Sequence, residues 1–225
     1  MSQPLKPIKL YGGVLGPNPA KTAIILEELN IPYESVYIPL DELKTPIYES
    51  INPNGRLPAI EDPNTGLTIW ESGAIVQYLV ETYDKGHKLS FPAGTAEAYH
   101  TLQWLFFQVS GQGPYYGQAG WFSMYHPEKL PSAIDRYFNE ARRVSRVLDR
   151  WLEEHEWLVG DKCTYADLAF VPWQTAIEGL FKEAYDPAKE FPHVAAWLER
   201  MKSRETVSRV LAESAERRAA LQQKS

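Results

Sequence analysis

The chain has one cysteine, Cys163, in 225 residues, so no disulfide can form within it, and a reducing compartment is expected. No apolar run approaches the roughly 18 residues that a membrane-spanning helix needs. The opening stretch "MSQPLKPIKLY" lacks the apolar core of a secretory signal, and the closing "QKS" is not a peroxisomal address. Basic excess is also missing: 23 Lys and Arg face 29 Asp and Glu, giving a net charge of −6. That balance argues against nucleic acid or an anionic membrane as the main partner, while small anionic ligands answer to a local field. The five histidines are scattered without metal-ligand spacing, so no metal is expected. A cytoplasmic, soluble protein is the expectation.

What the chain does have is core material, 44% hydrophobic and 12% aromatic, enough for one large domain or two small ones. Its first 85 residues alternate in character. "IKLY" (8–11) reads as a strand, and Ala20, Ala23, Ile24 and Leu29 then fall at helical spacing until Pro32. "YESVYIPL" (33–40) alternates as a strand, and "DELKTPIYESI" reads as a short or irregular helix. "RLPAIED" and "LTIW" flank the hairpin turn "PNTG". "SGAIVQYLVETY" is helical, with Ile75, Tyr78, Leu79 and Tyr83 facing inward. The order is β-α-β-α-β-β-α. After a Gly/Pro-bearing linker (86–94), strand signals vanish and 95–225 reads as an all-α domain.

Three motifs stand out, two for chemistry and one for folding. In "NPNGRLPAIED", Pro58 opens a strand as an edge residue would, and a bend there fits a cis Leu57–Pro58 bond. Such a bend would turn the Leu57 peptide out of the sheet, open to a peptide-like ligand, although an ordinary turn proline explains the residue alone. In "WESGAI", Ser72 is placed as the N-cap of a helix whose free N–H groups suit a carboxylate, and Glu71 beside it suits an ammonium. Together they match the two charges of an α-amino acid end; an exposed acid beside a plain cap is the alternative. In "CTYADLAF", Thr164 and Asp167 form a helix-capping box with Cys163 and Leu168 at staple positions, a folding role.

Together, this element order, a proline at the third strand, Glu-Ser opening the third helix and a helical second half resemble cytosolic glutathione transferases. "NPNGRLPAIED", "WESGAIVQYLV", "LFFQVSGQGPYYGQ" and "WLVGDKCTYADLAFVPW" are similar to the fungal nitrogen-regulator-like branch, the yeast prion homologues, and to the bacterial Nu class. The resemblance implies an α/β thioredoxin-like domain (1–85) that binds glutathione and an all-α helical bundle after the linker. It implies a homodimer and glutathione as co-substrate. Carried over residue by residue, Leu57 before the cis-type Pro58 pairs with the cysteinyl part, and Glu71 and Ser72 hold the γ-glutamyl end. Lys44 serves the glycyl end. Arg56 is a second candidate, for the glycyl carboxylate or a dimer partner, or else a solvated side chain. Arg142, Arg143, Arg146 and Arg150 form a basic stripe that is either a solvated face or a subunit contact to glutathione. Only "MSQPLKP" precedes the first strand where the regulator has its prion-forming extension, so a transcription-regulating role is not expected.

Glutathione chemistry needs a thiolate. Lowering a thiol from about 8.5 to mostly ionised at neutral pH takes about 2 units, or about 2.7 kcal/mol. A hydrogen bond to a charged group contributes about 1.5–3 kcal/mol and a helix N-terminus about 0.3–1 more. One good donor at the start of the first helix would suffice. Cys163 lies in the capping box, which excludes the cysteine-type members. In "GPNPAK" the resemblance assigns Asn18 to the thiol, while Asn before Pro19 is also a good N-cap. The amide oxygen can cap while the NH₂ faces sulfur; Tyr11 is the fallback donor. Gly16 replaces the Thr of the bacterial relatives.

Aromatics in "QVSGQGPYYGQAGWFSMYH" (108–126) offer a wall for a second substrate: Tyr115, Tyr116, Trp121 and Phe122. Trp104, Phe106 and Phe107 upstream read as a helix–helix junction. Two reactions fit, conjugation of a small hydrophobic electrophile or reduction of a disulfide, and the asparagine-type relatives favour the second. A non-catalytic ligand-binding or regulatory interaction protein is the alternative.

Overall fold

The computed structural model describes residues 4–180 and 186–222. The chain divides into two compact units, Met1–Lys88 with Arg204–Ser225, and Leu89–Ser203.

The first unit is built on a four-stranded mixed sheet, ordered β2-β1-β3-β4. β1 (Ile8–Tyr11) lies parallel to β2 (Tyr33–Val36), with Ile8 opposite Tyr33 and Tyr11 opposite Val36. β3 (Ala59–Asp62) runs antiparallel to β1 and to β4 (Leu67–Trp70), with Ala59 facing Tyr11 and Trp70. The β3–β4 turn is the expected "PNTG", closed by the Gly66 amide donating to the Asp62 carbonyl at 2.8 Å. β2 ends at Val36, short of the alternation read through Leu40. A short 3₁₀ turn (Leu40–Lys44) and α2 (Pro46–Glu49) fill the second connection.

α1 (Pro17–Glu28) buries Ala20, Ala23, Ile24, Ile25 and Leu26, each large aliphatic stabilising the unit by about 1.5–3 kcal/mol. α3 (Ser72–Tyr83) packs on α1 through an apolar face that includes the buried Ile75, Val76 and Leu79. Tyr78 and Tyr83, expected to face inward, are half-buried instead, and both hydroxyls donate to the Asp62 carboxylate.

The last helix, α10 (Glu205–Gln222), reads from the sequence as part of the helical half but belongs to the sheet-bearing unit, packed along α1. Charge holds it there. Arg204 and Thr206 bind the buried Glu28 carboxylate, Arg209 pairs with Glu27, and Arg217 and Glu213 close around Tyr37.

The second unit is helical among the described residues. α4 (Ala96–Phe107) is capped by Thr95, whose Oγ1 accepts from the Ala98 amide at 3.2 Å. The helix then widens to π-type turns at Gln108–Gln112, tightens as α5 (Gly113–Gly120) and widens again at Trp121–Tyr125. α6 (Pro131–Leu152), α7 (Tyr165–Leu180), α8 (Pro187–Glu190) and α9 (Pro192–Lys202) complete it. Trp104 packs edge-on against Phe107, Trp151 and Phe170, as a helix junction should. Phe106 departs from that expectation and is 60% exposed.

Asp167 secures the start of α7. Its Oδ2 accepts from both the amide and the hydroxyl of Thr164 at 2.9 Å. Its Oδ1 accepts from the Leu158 amide (3.0 Å) and the Trp197 indole (3.2 Å). Cys163 and Leu168, the staple pair, are both buried.

Candidate functional site

The chain leaves β1 through Gly12 and Gly13, both at positive φ (100° and 53°), and enters α1 at Pro17. Gly16, not Asn18, occupies the N-cap position, Pro17 is N1 and Asn18 is N2. The expected asparagine cap is therefore displaced: Asn18 stands inside the first turn, and Gly16 at the cap position has no side chain to cap with. Two prolines near the start fix φ for the first turn without needing donors. Asn18 is half-buried in that turn, where backbone N–H groups have no helical acceptor and a partial positive charge accumulates.

Leu57–Pro58 is cis. The ladder of β3 begins at Ala59, so the Leu57 peptide lies just beyond the paired strand. A side chain at Gly12 would meet Pro19 Cγ at 3.0 Å and Leu57 Cβ at 3.2 Å. Hence Gly12 brings the first turn of α1 against Leu57.

Ser72 is also displaced from its expected place. It is the first helical residue of α3 and is buried, while Glu71 takes the cap position at φ 71°. That conformation is uncommon for a side chain larger than glycine's and orients an exposed carboxylate at the helix N-terminus. Glu71 Oε1 accepts from Asn54 Nδ2 at 3.2 Å.

The "NPNG" loop acts as a brace. The amide of Asn54 donates to Asn52 Oδ1 (2.9 Å), and Asn52 Nδ2 and the Tyr48 hydroxyl both donate to the Arg56 carbonyl (2.6 and 2.8 Å). Lys44 Nζ donates to the Asn54 carbonyl at 2.7 Å, so its ammonium sits at the loop bearing Glu71's partner. Arg56 contributes its carbonyl to this brace and its side chain is exposed.

Tyr11 proves to be core. It is buried, packs edge-on against Tyr48 at 6.0 Å, and its phenol is pushed up to about 12 by burial and by Glu61. A phenol so reluctant to ionise and engaged with a carboxylate is a poor partner for a thiolate.

Lys21 and Asn54 escape the sequence reading. Lys21 follows Asn18 by three residues on α1 and is completely buried. Burial pushes its ammonium down to about 7, against the opposing pull of the Glu71 carboxylate. Its signal is a lysine between Ala20 and Ala23, inside the apolar stretch of a helix. Asn54 closes the Asx-type turn that Asn52 opens, just before Gly55, and that turn is its signal.

The second-substrate candidates lie in the helical unit and divide into two environments. Tyr115 and Phe122 both contact the Tyr137 ring, Phe122 stacking on it at 5.4 Å and on His126 at 5.0 Å. Trp121 is 49% exposed. Tyr116 instead is core: 1% exposed, with its hydroxyl engaged by Ser145, Gln174 and the Ala141 carbonyl. It joins a buried polar network with Gln112 and Gln108 and lines no open wall. On the basic stripe, Arg142 pairs with Glu190 and Arg143 with Glu140, while Arg146 and Arg150 are exposed. Among the described residues no group of His, Cys, Asp and Glu is gathered to hold a metal, and no helix is long and apolar enough to cross a membrane.

A thioredoxin-like sheet with a cis-proline before β3, followed in the chain by a helical unit, defines the glutathione transferase fold. The chain belongs to the glutathione S-transferase family: residues 6–81 match the family's N-terminal domain and residues 114–205 its C-terminal domain. It is 56% identical over 217 residues to the glutathione S-transferase-like protein gedE of Aspergillus terreus, covering 92% of this chain and 95% of that one. It is 36% identical to protein URE2 of Saccharomyces bayanus, over 93% of this chain and 70% of URE2. The crystal structure of glutathione transferase URE2P6 from Phanerochaete chrysosporium, in complex with oxidized glutathione, superposes with a TM-score of 0.90 at 48% identity. That match covers 94% of this chain and 97% of URE2P6.

Proposed function

We propose that this protein binds glutathione, holds it as the thiolate, and uses it chiefly to reduce disulfides, with weaker conjugation of electrophiles. Asn18 carries the reading, because its amide stands at N2 of α1, in the first turn at the positive end of the helix. In the proposed pose the Leu57 peptide pairs with the cysteinyl backbone. Glu71, Ser72 and the N-terminus of α3 take the γ-glutamyl ammonium and carboxylate, and Lys44 the glycyl carboxylate, with the exposed Arg56 able to reach it. The Asn18 amide NH₂ donates to the sulfur.

The bound thiolate attacks one sulfur of a disulfide, forming a mixed disulfide and expelling the other sulfur as a thiolate that takes up a proton. A second glutathione attacks the mixed disulfide. Two glutathiones and one disulfide thus become oxidised glutathione and two thiols, and no protein cysteine takes part. Support comes from the buried position of Cys163 and from the oxidized glutathione held by the related URE2P6. Tyr115, Trp121 and Phe122 are the proposed apolar contacts for the second substrate. A cytosolic homodimer is the proposed working form.

Two assays test this side by side: glutathione-dependent reduction of hydroxyethyl disulfide and conjugation of chlorodinitrobenzene, each with Asn18→Ala. The expectation is faster disulfide reduction than conjugation, and a fall of about tenfold or more in kcat/KM in the variant, as loss of a charge-assisted bond of about 1.5–3 kcal/mol implies. Undiminished turnover in the variant would remove Asn18 from the mechanism. No turnover in either assay would favour a non-catalytic ligand-binding or interaction protein.

A further inference from the structure

Tyr37 lies just beyond β2 and joins α10 to the turn between β1 and α1. On its outer side, the Tyr37 hydroxyl donates to Glu213 Oε1 at 3.3 Å, and the Arg217 guanidinium lies over the ring, 4.2 Å from its centroid. Arg217 Nε donates in turn to the same Glu213 oxygen at 2.8 Å, closing a three-residue clasp. On its inner side the ring presses on Gly13: a Cβ there would fall 2.5 Å from Tyr37 Cζ. The neighbouring Gly12 donates its amide to the Val36 carbonyl at 2.8 Å, and its other side touches Pro19 and Leu57. A continuous set of contacts therefore runs from α10 through Tyr37 and the two glycines to Leu57 and the first turn of α1.

The turn is held by backbone bonds, the Gly12 amide to Val36, the Gly13 amide to the Leu10 carbonyl (3.3 Å) and the Leu15 amide to the Gly12 carbonyl (3.0 Å), but by no side chain of its own. Two successive glycines at positive φ are the most permissive backbone available, and they shortly precede the helix end that carries Asn18. Side-chain packing on the two glycines comes from outside the turn, from the Tyr37 ring on one face and from Pro19 and Leu57 on the other.

From this geometry we infer that α10 is a positioning element of the glutathione site, acting through the Glu213–Arg217 clasp on Tyr37 to seat the Gly12–Gly13 turn. The inference rests on the reading of Leu57 and Asn18 as glutathione contacts. Tyr37, Glu213 and Arg217 touch neither substrate nor reacting atoms; they set where the contacting residues stand.

The test uses the full chain and reduced glutathione itself. Three forms are compared with the wild type: the double variant Glu213→Ala with Arg217→Ala, Tyr37→Phe, and Tyr37→Leu. Glutathione Kd is read by titration calorimetry, the pKa of the bound thiol by ultraviolet thiolate absorbance against pH, and folding by the thermal midpoint. The double variant is expected to stay folded, bind glutathione about three- to tenfold more weakly and raise the bound-thiol pKa. Tyr37→Phe, which keeps the ring against Gly13, should show a smaller effect, and Tyr37→Leu the largest. Unchanged Kd and thiol pKa in the double variant, or a lowered thermal midpoint alone, would overturn the inference while leaving the site reading intact. Failure of the wild type to bind glutathione would overturn both.

Discussion

Arg204 grips Glu28 with two parallel bonds, Nε to Oε1 at 2.9 Å and Nη2 to Oε2 at 2.8 Å, across 176 residues of sequence. Thr206 Oγ1 and Lys88 Nζ also donate to this carboxylate, whose side chain is only 3% exposed. Burial alone would raise its pKa, but the Arg204 and Thr206 hydrogen bonds outweigh that and hold it down at about 2. The folded value lies below the unfolded one, so the stabilisation is complete above the unfolded pKa and is lost as pH falls from about 4.5 towards about 2. Glu28→Gln should lower stability at neutral pH by on the order of 3 kcal/mol and flatten the acid limb of a urea-midpoint series.

Lys21 shows the same dependence on pH from the opposite cause, a charge that burial disfavours. Its ammonium is pushed from 10.5 down to about 7 by burial, so between those values the unfolded chain binds the extra proton. Stability contributed by this site therefore rises with pH across that window and is lost as pH falls through about 7. The limiting slope is about 1.4 kcal/mol per pH unit. In Lys21→Met this dependence should disappear, visible as denaturant midpoints of variant and wild type that converge as pH rises from about 7 towards 10.5.

Asp167 collects four donors in a buried place, and truncation strands them. An orphaned buried donor costs about 1–3 kcal/mol, and several on one residue do not simply add. Asp167→Ala is expected to lose about 3–5 kcal/mol in urea unfolding, against about 1 for Thr164→Val. Folded Thr164→Val should keep its glutathione Kd.

Gly13 and Gly66 separate steric cost from backbone cost. Both have positive φ, 53° and 75°, but a Cβ at Gly66 meets nothing within 4 Å while one at Gly13 collides with Tyr37. Gly66→Ala should cost about 1 kcal/mol and Gly13→Ala distinctly more, with weakened glutathione binding only in the latter. Thermal melts and calorimetric titration of both variants check this.

Local signals in the sequence are faithful where a side chain announces its own role. The "PNTG" turn, the bend at Leu57–Pro58 and the Thr164–Asp167 box stand where their residues place them. Cap positions slip because Gly16 and Glu71 occupy them through backbone conformation, while Asn18 and Ser72 look better suited by side chain. The direction of Tyr116 depends on how α5 faces α6 and α7, which an aromatic in a glycine-rich stretch does not reveal. The seat of α10 is equally hidden, since its partners Glu27, Glu28 and Tyr37 lie some 176 or more residues upstream.

Cys163 lies buried between the Thr164 carbonyl and Met201 Sδ, at 3.9 and 4.0 Å. A buried sulfur in such company is sheltered from the disulfides and electrophiles that surround a thiol-handling catalyst. Under the proposed chemistry the polypeptide is a redox-silent host: its working sulfur arrives and departs with each turnover. Oxidative insult would then fall on a replaceable small molecule and spare the machine that employs it.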